Sequence, residues 1–329
     1  MARIVRFHET GGPEVLRIAD IDVPGPGRNE VQIRVKALGL NRAEALLRAG
    51  TYLETPTLPA RLGLEAAGIV EAVGKGVRAF EPGEGVSLVP PISMLRWPTY
   101  GEVINVPVQH VVKHPERLSW EEAAAVWMQY LTAYGALIDI AKITSKDFVV
   151  ITAGSSSVGL AAIQIAKMIG ATPIAVTRTA RKKQSLIDFG AVHVVASEEE
   201  DLRDRLTEIA GPNGVRVVLD PVGGPIFEPL TAAMSPGGIL IEFGGLSAEP
   251  TPFPLFTVLA KTLTLRGYLV HEIVRDPAKL EAAKGFILDG LTSGALKPVI
   301  AKTFAFEQIV DAHHYLESNE QFGKVVVTV

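Results

Sequence analysis

A run of small residues between an apolar strand-like segment and an apolar helix-like segment is the part of this sequence best suited to chemistry. Small residues let the backbone approach a pyrophosphate, whose charge is met by free N–H groups and by the positive end of the helix dipole. The spacing is close to the dinucleotide-binding pattern G-x-G-x-x-G, but a serine occupies the position of the second glycine. The alternative is a tight strand-to-helix turn that binds no nucleotide. The candidate ligand contacts are Gly154, Ser156, Ser157, Val158 and Gly159.

The residues that follow this turn indicate which dinucleotide would bind. A unit that binds NAD places an Asp or Glu about twenty residues further on, where it bonds the ribose 2′-hydroxyl. Here that acid is missing, because the next strand-like segment ends in Thr177 and is followed by Arg178 and Lys182. Hydrogen-bond donors and positive charge suit a 2′-phosphate, so we predict that the cofactor is NADPH. The alternative is that these cations form the solvated start of a helix, where they would oppose the helix dipole.

The composition excludes several classes of partner and site. A formal net charge of −4 gives no electrostatic case for nucleic acid or for an anionic membrane surface, so we expect a small-molecule substrate. The chain has no cysteine, which excludes disulfides, thiolate nucleophiles and sulfur-ligated zinc. The seven histidines lack metal-binding spacing, and we predict no metal. No signal peptide or membrane span is recognisable, so a cytoplasmic protein is expected.

The elements that must position these residues fall into two parts. Up to about residue 120, short β-like runs alternate with turn formers, which is typical of a barrel or sandwich. Ser119 and Glu122 have capping-box spacing, and beyond them strands alternate with helices. Right-handed crossovers between such strands give an open, mostly parallel sheet with its ligand at the carboxyl ends. A terminal strand over 324–329 should return to the first domain, because an isolated strand needs a sheet to join. The six strands of the second part are predicted at 148–152, 173–177, 192–196, 216–220, 239–243 and 263–267.

Short motifs in a fixed order connect the sequence to a known family. They are LGLNRAE (38–44), RAGTY (48–52), GLEAAG (63–68), LTAY (131–134), DPVGG (220–224) and GKVV (323–326). Over essentially its whole length the chain resembles the medium-chain dehydrogenase/reductase superfamily, and within it the zinc-independent quinone oxidoreductase-like members. The resemblance implies an α/β protein with a GroES-like β-barrel catalytic domain, residues 1–122 completed by 268–329. It also implies a doubly wound, six-stranded Rossmann domain that binds NADPH, residues 123–267, and a homodimer.

The zinc-dependent branch of the superfamily would require ligands that are missing here. It has a cysteine near the position of Asn41 and a histidine where Leu64 stands, and leucine cannot bind a metal. Lewis-acid polarisation of an alcohol therefore cannot operate. The resemblance then implies hydride addition to a quinone or to an alkene conjugated with a carbonyl, where charge is delocalised onto oxygen. The alternative is an NADPH-binding protein with a regulatory or structural role and weak or no turnover.

Asn41 and Tyr52 are the catalytic candidates that the resemblance implies. Asn41 would lie near the nicotinamide and the substrate oxygen, or it could be a buried turn amide. Tyr52 matches a suspected proton donor of related enoyl-thioester reductases, and a phenol with a pKa of about 10 can protonate an enolate. Its alternative role is an aromatic wall of the pocket. Glu65 is expected to be structural, accepting hydrogen bonds from nearby backbone.

The same resemblance implies further cofactor contacts on helices and strand ends. For the two helical residues, Gln129 and Thr132, helix packing is the competing interpretation. For Lys324 the choice is between contacting a phosphate and capping the closing strand. The full set of these additional contacts is Gln129, Thr132, Val222, Phe243, Gly244 and Lys324.

Overall fold

The computed structural model describes residues 1–329, which form two compact units. The first unit contains Met1–Gln129 and Lys297–Val329, and the second contains Tyr130–Leu296. Each unit has its own sheets and its own apolar core. None of the helices is sufficiently long and apolar to cross a membrane.

The chain contains sixteen strands and eleven α-helices. The strands are β1 (Ala2–Phe7), β2 (Leu16–Ile21), β3 (Glu30–Gly39), β4 (Ala60–Arg61), β5 (Ala66–Val73), β6 (Gly85–Leu88), β7 (Val103–Pro107), β8 (Val111–Lys113), β9 (Phe148–Ile151), β10 (Thr172–Thr177), β11 (His193–Ala196), β12 (Val215–Asp220), β13 (Met234–Glu242), β14 (Thr264–Gly267), β15 (Ile300–Ala305) and β16 (Lys324–Thr328). The helices are α1 (Arg42–Ala49), α2 (Trp120–Ala123), α3 (Trp127–Tyr134), α4 (Ser157–Ile169), α5 (Lys183–Phe189), α6 (Leu202–Ala210), α7 (Phe227–Ala233), α8 (Leu255–Lys261), α9 (His271–Val274), α10 (Pro277–Ser293) and α11 (Ile309–Ser318).

Strand β3 is the centre of the larger sheet in the first unit. The strand order is β15-β16-β3-β5-β6-β8, and β7 also pairs with β3. Along β3, Val31, Ile33 and Val35 are buried while Arg34 is exposed. This period of two is typical of a strand with one face on a core. A second, three-stranded sheet has the order β2-β1-β4.

The second unit is built on a six-stranded parallel sheet. Its order is β11-β10-β9-β12-β13-β14, so the direction in which strands are added reverses between β9 and β12. Ligands of doubly wound sheets bind at this switch point, outside the carboxyl ends of the strands. All six predicted strands are present, although β13 begins earlier than expected, at Met234. A register shift at its Pro-Gly-Gly segment hides this extension from the sequence pattern.

The first boundary between the units differs from the predicted position at 122/123. Residues 123–129 belong to the first unit. Ala123, Ala124 and Ala125 are buried in a small cluster with Ala37 and Val326, two residues of the larger sheet. Small side chains allow this close packing, and they hold the start of the helical region on the first unit.

The second boundary also differs, because residues 268–296 belong to the second unit and not to the returning tail. Lys279 of α10 forms an ion pair with Asp139 at 2.7 Å, and the rings of Tyr134 and Phe286 lie 5.2 Å apart. These contacts hold α10 against the helical segment that opens the second unit. The tail returns from Lys297 onward, where β16 pairs antiparallel with β3.

Two local features show what short patterns can and cannot predict. The predicted capping box is confirmed, because the Ser119 N–H donates to the Glu122 carboxylate at 3.0 Å and the Glu122 N–H donates to the Ser119 hydroxyl at 3.2 Å. Strand β4 was not predicted, since two residues are too few to show a period. It exists because it pairs with β1.

Candidate functional site

The turn between β9 and α4 permits a close approach to its backbone. A Cβ added to Gly154 would lie 2.8 Å from a side chain of β10, and one added to Gly159 would lie 2.6 Å from the Gly154 carbonyl oxygen. Ser156 caps the helix, since its hydroxyl accepts the Gly159 N–H at 3.0 Å. Ser157 and Val158 form the first turn of this thirteen-residue helix, whose free N–H groups and dipole favour an anion. The turn therefore has the shape and polarity of a phosphate cradle.

Cationic side chains lie at this turn and at the end of β10. The Lys182 ammonium donates to the Ser155 hydroxyl at 3.1 Å, so its charge reaches the turn. Thr177 ends β10, and Arg178 follows it with an exposed side chain that makes no ion pair. No acidic residue ends β10. Because a phosphate takes charge-assisted hydrogen bonds from such groups, this edge suits a phosphate better than a ribose diol.

Asp220 organises the neighbouring strand ends. Its carboxylate accepts hydrogen bonds from the Thr152 hydroxyl and, at 3.0 Å, from the Val222 N–H. The Phe243 N–H donates to the Asp220 carbonyl oxygen at 3.0 Å. A Cβ on Gly244 would lie 2.7 Å from a backbone oxygen of the adjacent loop. Val222, Phe243 and Gly244 are thereby held at the carboxyl edge of the sheet, as predicted for a ligand-binding edge.

Glu242 lies beside Asp220, because the two residues are paired in register at the ends of β12 and β13. Burial raises the pKa of Glu242 to about 9, and the nearby Asp220 charge adds to the shift. Glu242 therefore carries a proton at neutral pH and can act as a hydrogen-bond donor. Sequence reasoning assigned it no role, although a glutamate that ends an apolar strand is an unusual residue at this edge.

In the first unit, Lys324 joins Asn41 to Glu65. The Lys324 ammonium lies 2.6 Å from Asn41 Oδ1 and 2.6 Å from Glu65 Oε2. The lysine and glutamate side chains are 1% and 0% exposed, so the pair is fully enclosed. The Met128 N–H donates to the other Glu65 oxygen at 3.0 Å, and Asn41 Nδ2 donates to the Gly39 carbonyl at 3.1 Å. Both ends of the Asn41 amide are therefore held in one orientation.

These contacts change the interpretation of two residues. Lys324 was expected to reach a phosphate or to cap the closing strand, but its ammonium is enclosed between Asn41 and Glu65. Glu65 accepts a backbone hydrogen bond, as expected of a structural residue, and in addition neutralises the lysine. Lys324 thus acts on the neighbouring amide and not on the protein surface.

Glu44 is a second buried carboxylate in this region. It accepts the Asn41 N–H at 2.7 Å, the Leu64 N–H at 2.8 Å and the Tyr100 hydroxyl at 2.6 Å. Burial raises the pKa of Glu44 to about 7, although these hydrogen bonds and a nearby lysine oppose the shift. Because Leu64 directly precedes Glu65, these contacts close a ring that includes Asn41. Its members, in order, are Lys324, Asn41, Glu44, Leu64 and Glu65.

The hydrogen bonds continue from Glu44 toward the surface. The Tyr100 hydroxyl lies 3.3 Å from His313 Nε2, and Arg48 Nη1 lies 2.9 Å from His313 Nδ1. Arginine can only donate, so His313 Nδ1 accepts and Nε2 carries the proton. Burial, assisted by the Arg48 charge, lowers the pKa of His313 to about 3. Arg48 also pairs with the partly exposed Glu317 at 2.7 Å, so a directed series of donors runs from Arg48 to Glu44.

The remaining predicted residues are partly or fully enclosed. Tyr52 lies in the loop after α1, half-buried against the apolar core, and no hydrogen bond joins it to Asn41. Burial, followed by the charges of Glu54 and Glu44, raises the pKa of the Tyr52 phenol. Gln129 and Thr132 on α3 are buried, at 2% and 6% exposure.

No group of three or more His, Asp or Glu side chains converges in a way that could hold a metal ion. Leu64, at the position where the zinc-dependent branch would have a histidine, contributes only its backbone N–H to Glu44. The buried cation that contacts Asn41 is Lys324.

The chain resembles known protein families over most of its length. Residues 27–116 match the family of alcohol dehydrogenase GroES-like domains, and residues 157–285 match the family of zinc-binding dehydrogenases. Quinone oxidoreductase 1 of Escherichia coli is 34% identical over 331 residues, which cover 98% of each chain. The chain belongs to the medium-chain dehydrogenase/reductase superfamily. Within it, this protein is one of the quinone oxidoreductase-like members, and it is an oxidoreductase.

Solved structures of this superfamily share the fold over the whole chain. The crystal structure of E. coli quinone oxidoreductase complexed with NADPH is similar with a TM-score of 0.92, at 32% identity and 100% coverage of both chains. The CurK enoyl reductase has a TM-score of 0.89 at 26% identity, with 99% of both chains covered. The predicted fold class, a GroES-like domain with a six-stranded Rossmann domain, is confirmed.

Sequence reasoning missed three buried residues of this quinone oxidoreductase-like protein, namely Glu44, Tyr100 and His313. Glu44 was noted only as part of a motif, yet a glutamate three residues after Asn41 has capping-box spacing and could have been identified from it. Tyr100 and His313 carry no local signal, because their partners lie more than fifty residues away along the chain.

Proposed function

We propose that this protein is an NADPH-dependent, zinc-independent reductase of quinones or α,β-unsaturated carbonyl compounds. The observation that carries the proposal is the phosphate-suited edge beside the glycine turn. There Lys182 reaches the turn, Arg178 has no acidic partner, and no carboxylate ends β10. Small residues leave room for a dinucleotide backbone, and the edge lies at the switch point of the sheet. The NADPH named in the structure of the E. coli relative supports the same cofactor.

The cofactor contacts that we propose in the second unit divide by role. Gly154, Ser156 and the first turn of α4 would hold the pyrophosphate through backbone and hydroxyl groups. Thr177, Arg178 and Lys182 would hold the 2′-phosphate. The remaining proposed contacts are Ser157, Val158, Gly159, Thr132, Val222, Phe243 and Gly244.

Residues of the first unit would act on the substrate and its proton. NADPH, when bound, supplies the hydride. Lys324 binds Asn41 Oδ1, so the amide can present only its remaining N–H to a substrate oxygen. Tyr52 would donate its phenolic proton to the enolate, with water as the other possible donor. Gln129, buried next to the Glu65 contact, would help to define the nicotinamide position.

A metal-free reaction is part of this proposal. A conjugated carbonyl or quinone spreads the added charge onto oxygen, where a hydrogen-bond donor is sufficient. The sequence has no cysteine and places leucine at position 64, and Lys324 provides the buried positive charge beside Asn41. Purified active protein should contain far less than one zinc per chain, and its activity should survive dialysis against a strong chelator. Stoichiometric zinc that is required for turnover would contradict this part of the proposal.

Cofactor preference and turnover test the main proposal. NADPH should bind at least tenfold more tightly than NADH, about 1.4 kcal/mol, in a fluorescence titration. Arg178→Ala and Lys182→Ala should remove much of this difference without weakening NADH binding. Lys183→Ala is the matched control, because this ammonium is already paired with Glu200.

Oxidation of NADPH should then be measured with a panel of quinones and enones. Turnover above background with either class would support the reductase. No turnover across the panel, with tight NADPH binding retained, would instead favour a dinucleotide-binding protein without catalysis.

We further propose that the protein is a homodimer that forms at the β14 edge of the second unit. Strand β14 ends the six-stranded sheet and pairs only with β13. The adjacent α8 and the residues before it expose Phe253, Phe256 and Leu259, at 63%, 82% and 62%. An open strand edge beside an apolar surface suits a second copy of the same sheet.

Sedimentation should therefore show a dimer that Phe256→Asp converts to a monomer. Leu53→Asp changes an apolar residue of the first unit that is 72% exposed, and it should leave the dimer intact. A monomeric parent protein at micromolar concentration would refute this part of the proposal.

A further inference from the structure

Three arginines lie side by side across the three-stranded sheet of the first unit. Arg6 on β1 is paired in register with Arg17 on β2 and with Arg61 on β4. Residues directly opposite each other in antiparallel strands project from the same face, with Cβ atoms about 4.5–5.5 Å apart. The three guanidinium groups therefore share one face of the sheet. We call these residues the arginine row.

The arginine row has no acidic partner within the protein. Arg17 donates only to backbone carbonyls, including that of Leu16 at 2.9 Å, and neither Arg6 nor Arg61 forms an ion pair. The buried Nε atoms of Arg6 and Arg61, and Nη2 of Arg61, have no acceptor. Burial alone lowers the pKa of Arg61 to about 10, and no carboxylate offsets it.

The opposite face of the same strand shows the usual arrangement. Arg3, also on β1, forms an ion pair with Glu102 at 2.7 Å and a second one with Glu307. The absence of such partners on the other face is therefore a local feature of the arginine row. Like charges directly opposite one another destabilise a strand pair, so this face is better suited to a bound anion than to remaining empty.

The surroundings of the row leave space for the guanidinium groups and exclude competing carboxylates. A Cβ added to Gly101 would lie 3.4 Å from Arg61 Nη2 and 2.9 Å from Ile4, so the glycine makes room at the buried end. The other residues that share the face along β1 and β2 are all apolar, namely Ala2, Ile4, Ala19 and Ile21. An apolar floor under several guanidinium groups strengthens their interaction with an anion, because less water screens it.

We propose that the arginine row is an anion-binding site for a small molecule that carries two or more phosphate-type groups. Guanidinium groups bind such oxyanions through paired, charge-assisted hydrogen bonds. Three of them in a line match a ligand with adjacent phosphates better than a single monovalent ion. The inference does not depend on the proposed reductase activity, because none of these residues belongs to the candidate site described above.

The test uses the full chain without NADPH and measures binding of inorganic pyrophosphate by calorimetry, with chloride adjusted to a constant ionic strength. A saturable site should appear, and Arg61→Gln and Arg6→Gln should each weaken it at least tenfold. Arg78→Gln, an exposed arginine of the same unit, makes the same charge change and should leave the affinity unaltered. A phosphomonoester, glycerol 3-phosphate, serves as the second probe, and tighter binding of pyrophosphate would support a ligand with adjacent phosphates.

A second measurement follows the melting temperature, first without and then with pyrophosphate. In low-salt chloride buffer without pyrophosphate, Arg61→Gln should have a higher melting temperature than the parent, since the change removes repulsion between like charges. Saturating pyrophosphate should raise the melting temperature of the parent, because the bound anion offsets the same repulsion. Pyrophosphate affinity that is unchanged in both Arg6→Gln and Arg61→Gln would overturn the proposal. A gradual rise in melting temperature that is identical for chloride and pyrophosphate would also overturn it.

Discussion

Replacement of Glu44 by glutamine should remove a pH dependence that this buried carboxyl imposes on stability. Its pKa is raised from an ordinary value of 4.5 to about 7 in the folded protein. Between these two pH values the folded protein holds a proton that the unfolded chain has released. The unfolded state then binds fewer protons, so the free energy of unfolding falls as the pH rises through this range.

The size of the effect follows from the shift. A difference of roughly 2.5 pKa units corresponds to about 3.4 kcal/mol at about 1.36 kcal/mol per unit. About 2.5 kcal/mol of this falls between about pH 5 and pH 8. Stability from this group is fully present below about pH 4.5 and is lost as the pH rises through about 7. Glutamine keeps the shape and, with its oxygen in the place of Oε2, still accepts from Tyr100 and from the Asn41 N–H, but its NH2 group then faces the Leu64 N–H. That cost is the same at every pH, so it shifts the curve without changing its slope.

The assay is equilibrium urea unfolding followed by tryptophan fluorescence at several pH values. All three tryptophans, Trp97, Trp120 and Trp127, belong to the first unit, so the signal reports on the unit that contains Glu44. The parent should lose about 2.5 kcal/mol more than Glu44→Gln between about pH 5 and pH 8. Glu116→Gln, an exposed control, should give a curve parallel to the parent. Parallel curves for the parent and Glu44→Gln would refute the reasoning.

Three further changes test the site. Tyr52→Phe should keep NADPH affinity and lower kcat for enones by ~10²–10⁴. The loss should be much smaller for quinones, because their reduced anion takes a proton from solvent. An unchanged enone rate would exclude Tyr52 as the donor. Lys324→Met should destabilise the protein by about 3–5 kcal/mol in urea unfolding, because Glu65 is left buried without its cation. Adding Glu65→Gln to this variant should recover part of the loss. Simply additive losses would contradict the coupling. Because the pKa of Glu242 is raised, the parent should lose stability as the pH rises through about 9, and Glu242→Gln should lose less stability over the same range. Equal losses in thermal melts would show that this carboxyl is already ionised near neutral pH.

Much of the fold could be predicted because its signals are local. Each of the six parallel strands is a short apolar run between turn formers, and all six are present close to their predicted positions. The boundary at 268 was wrong because α10 follows the last strand in sequence but packs, through Lys279 and Phe286, on the helical segment that opens the second unit. Only a tertiary contact determines that choice.

The same distinction between local signals and distant contacts applies to the candidate site. The glycine turn and the cations after β10 could be identified because strand, turn and helix lie together in the sequence. The ring around Asn41 could not, since Lys324 lies 283 residues away from it. A lysine is usually exposed. Lys324 is buried because the buried Glu65 carboxylate neutralises it.

The pairing of β16 with β3 makes the end of the chain necessary for the site. The last strand, Lys324–Thr328, covers one edge of β3 and also supplies the cation that neutralises Glu65. A ribosome that stops before Lys324 releases a chain whose second unit, contiguous from Tyr130 to Leu296, can already be folded. Such a chain would have an open strand edge and a buried, uncompensated carboxylate in its first unit. Truncated products would therefore be inactive and also unstable, so proteases that recognise unfolded segments could remove them before they occupy cofactor.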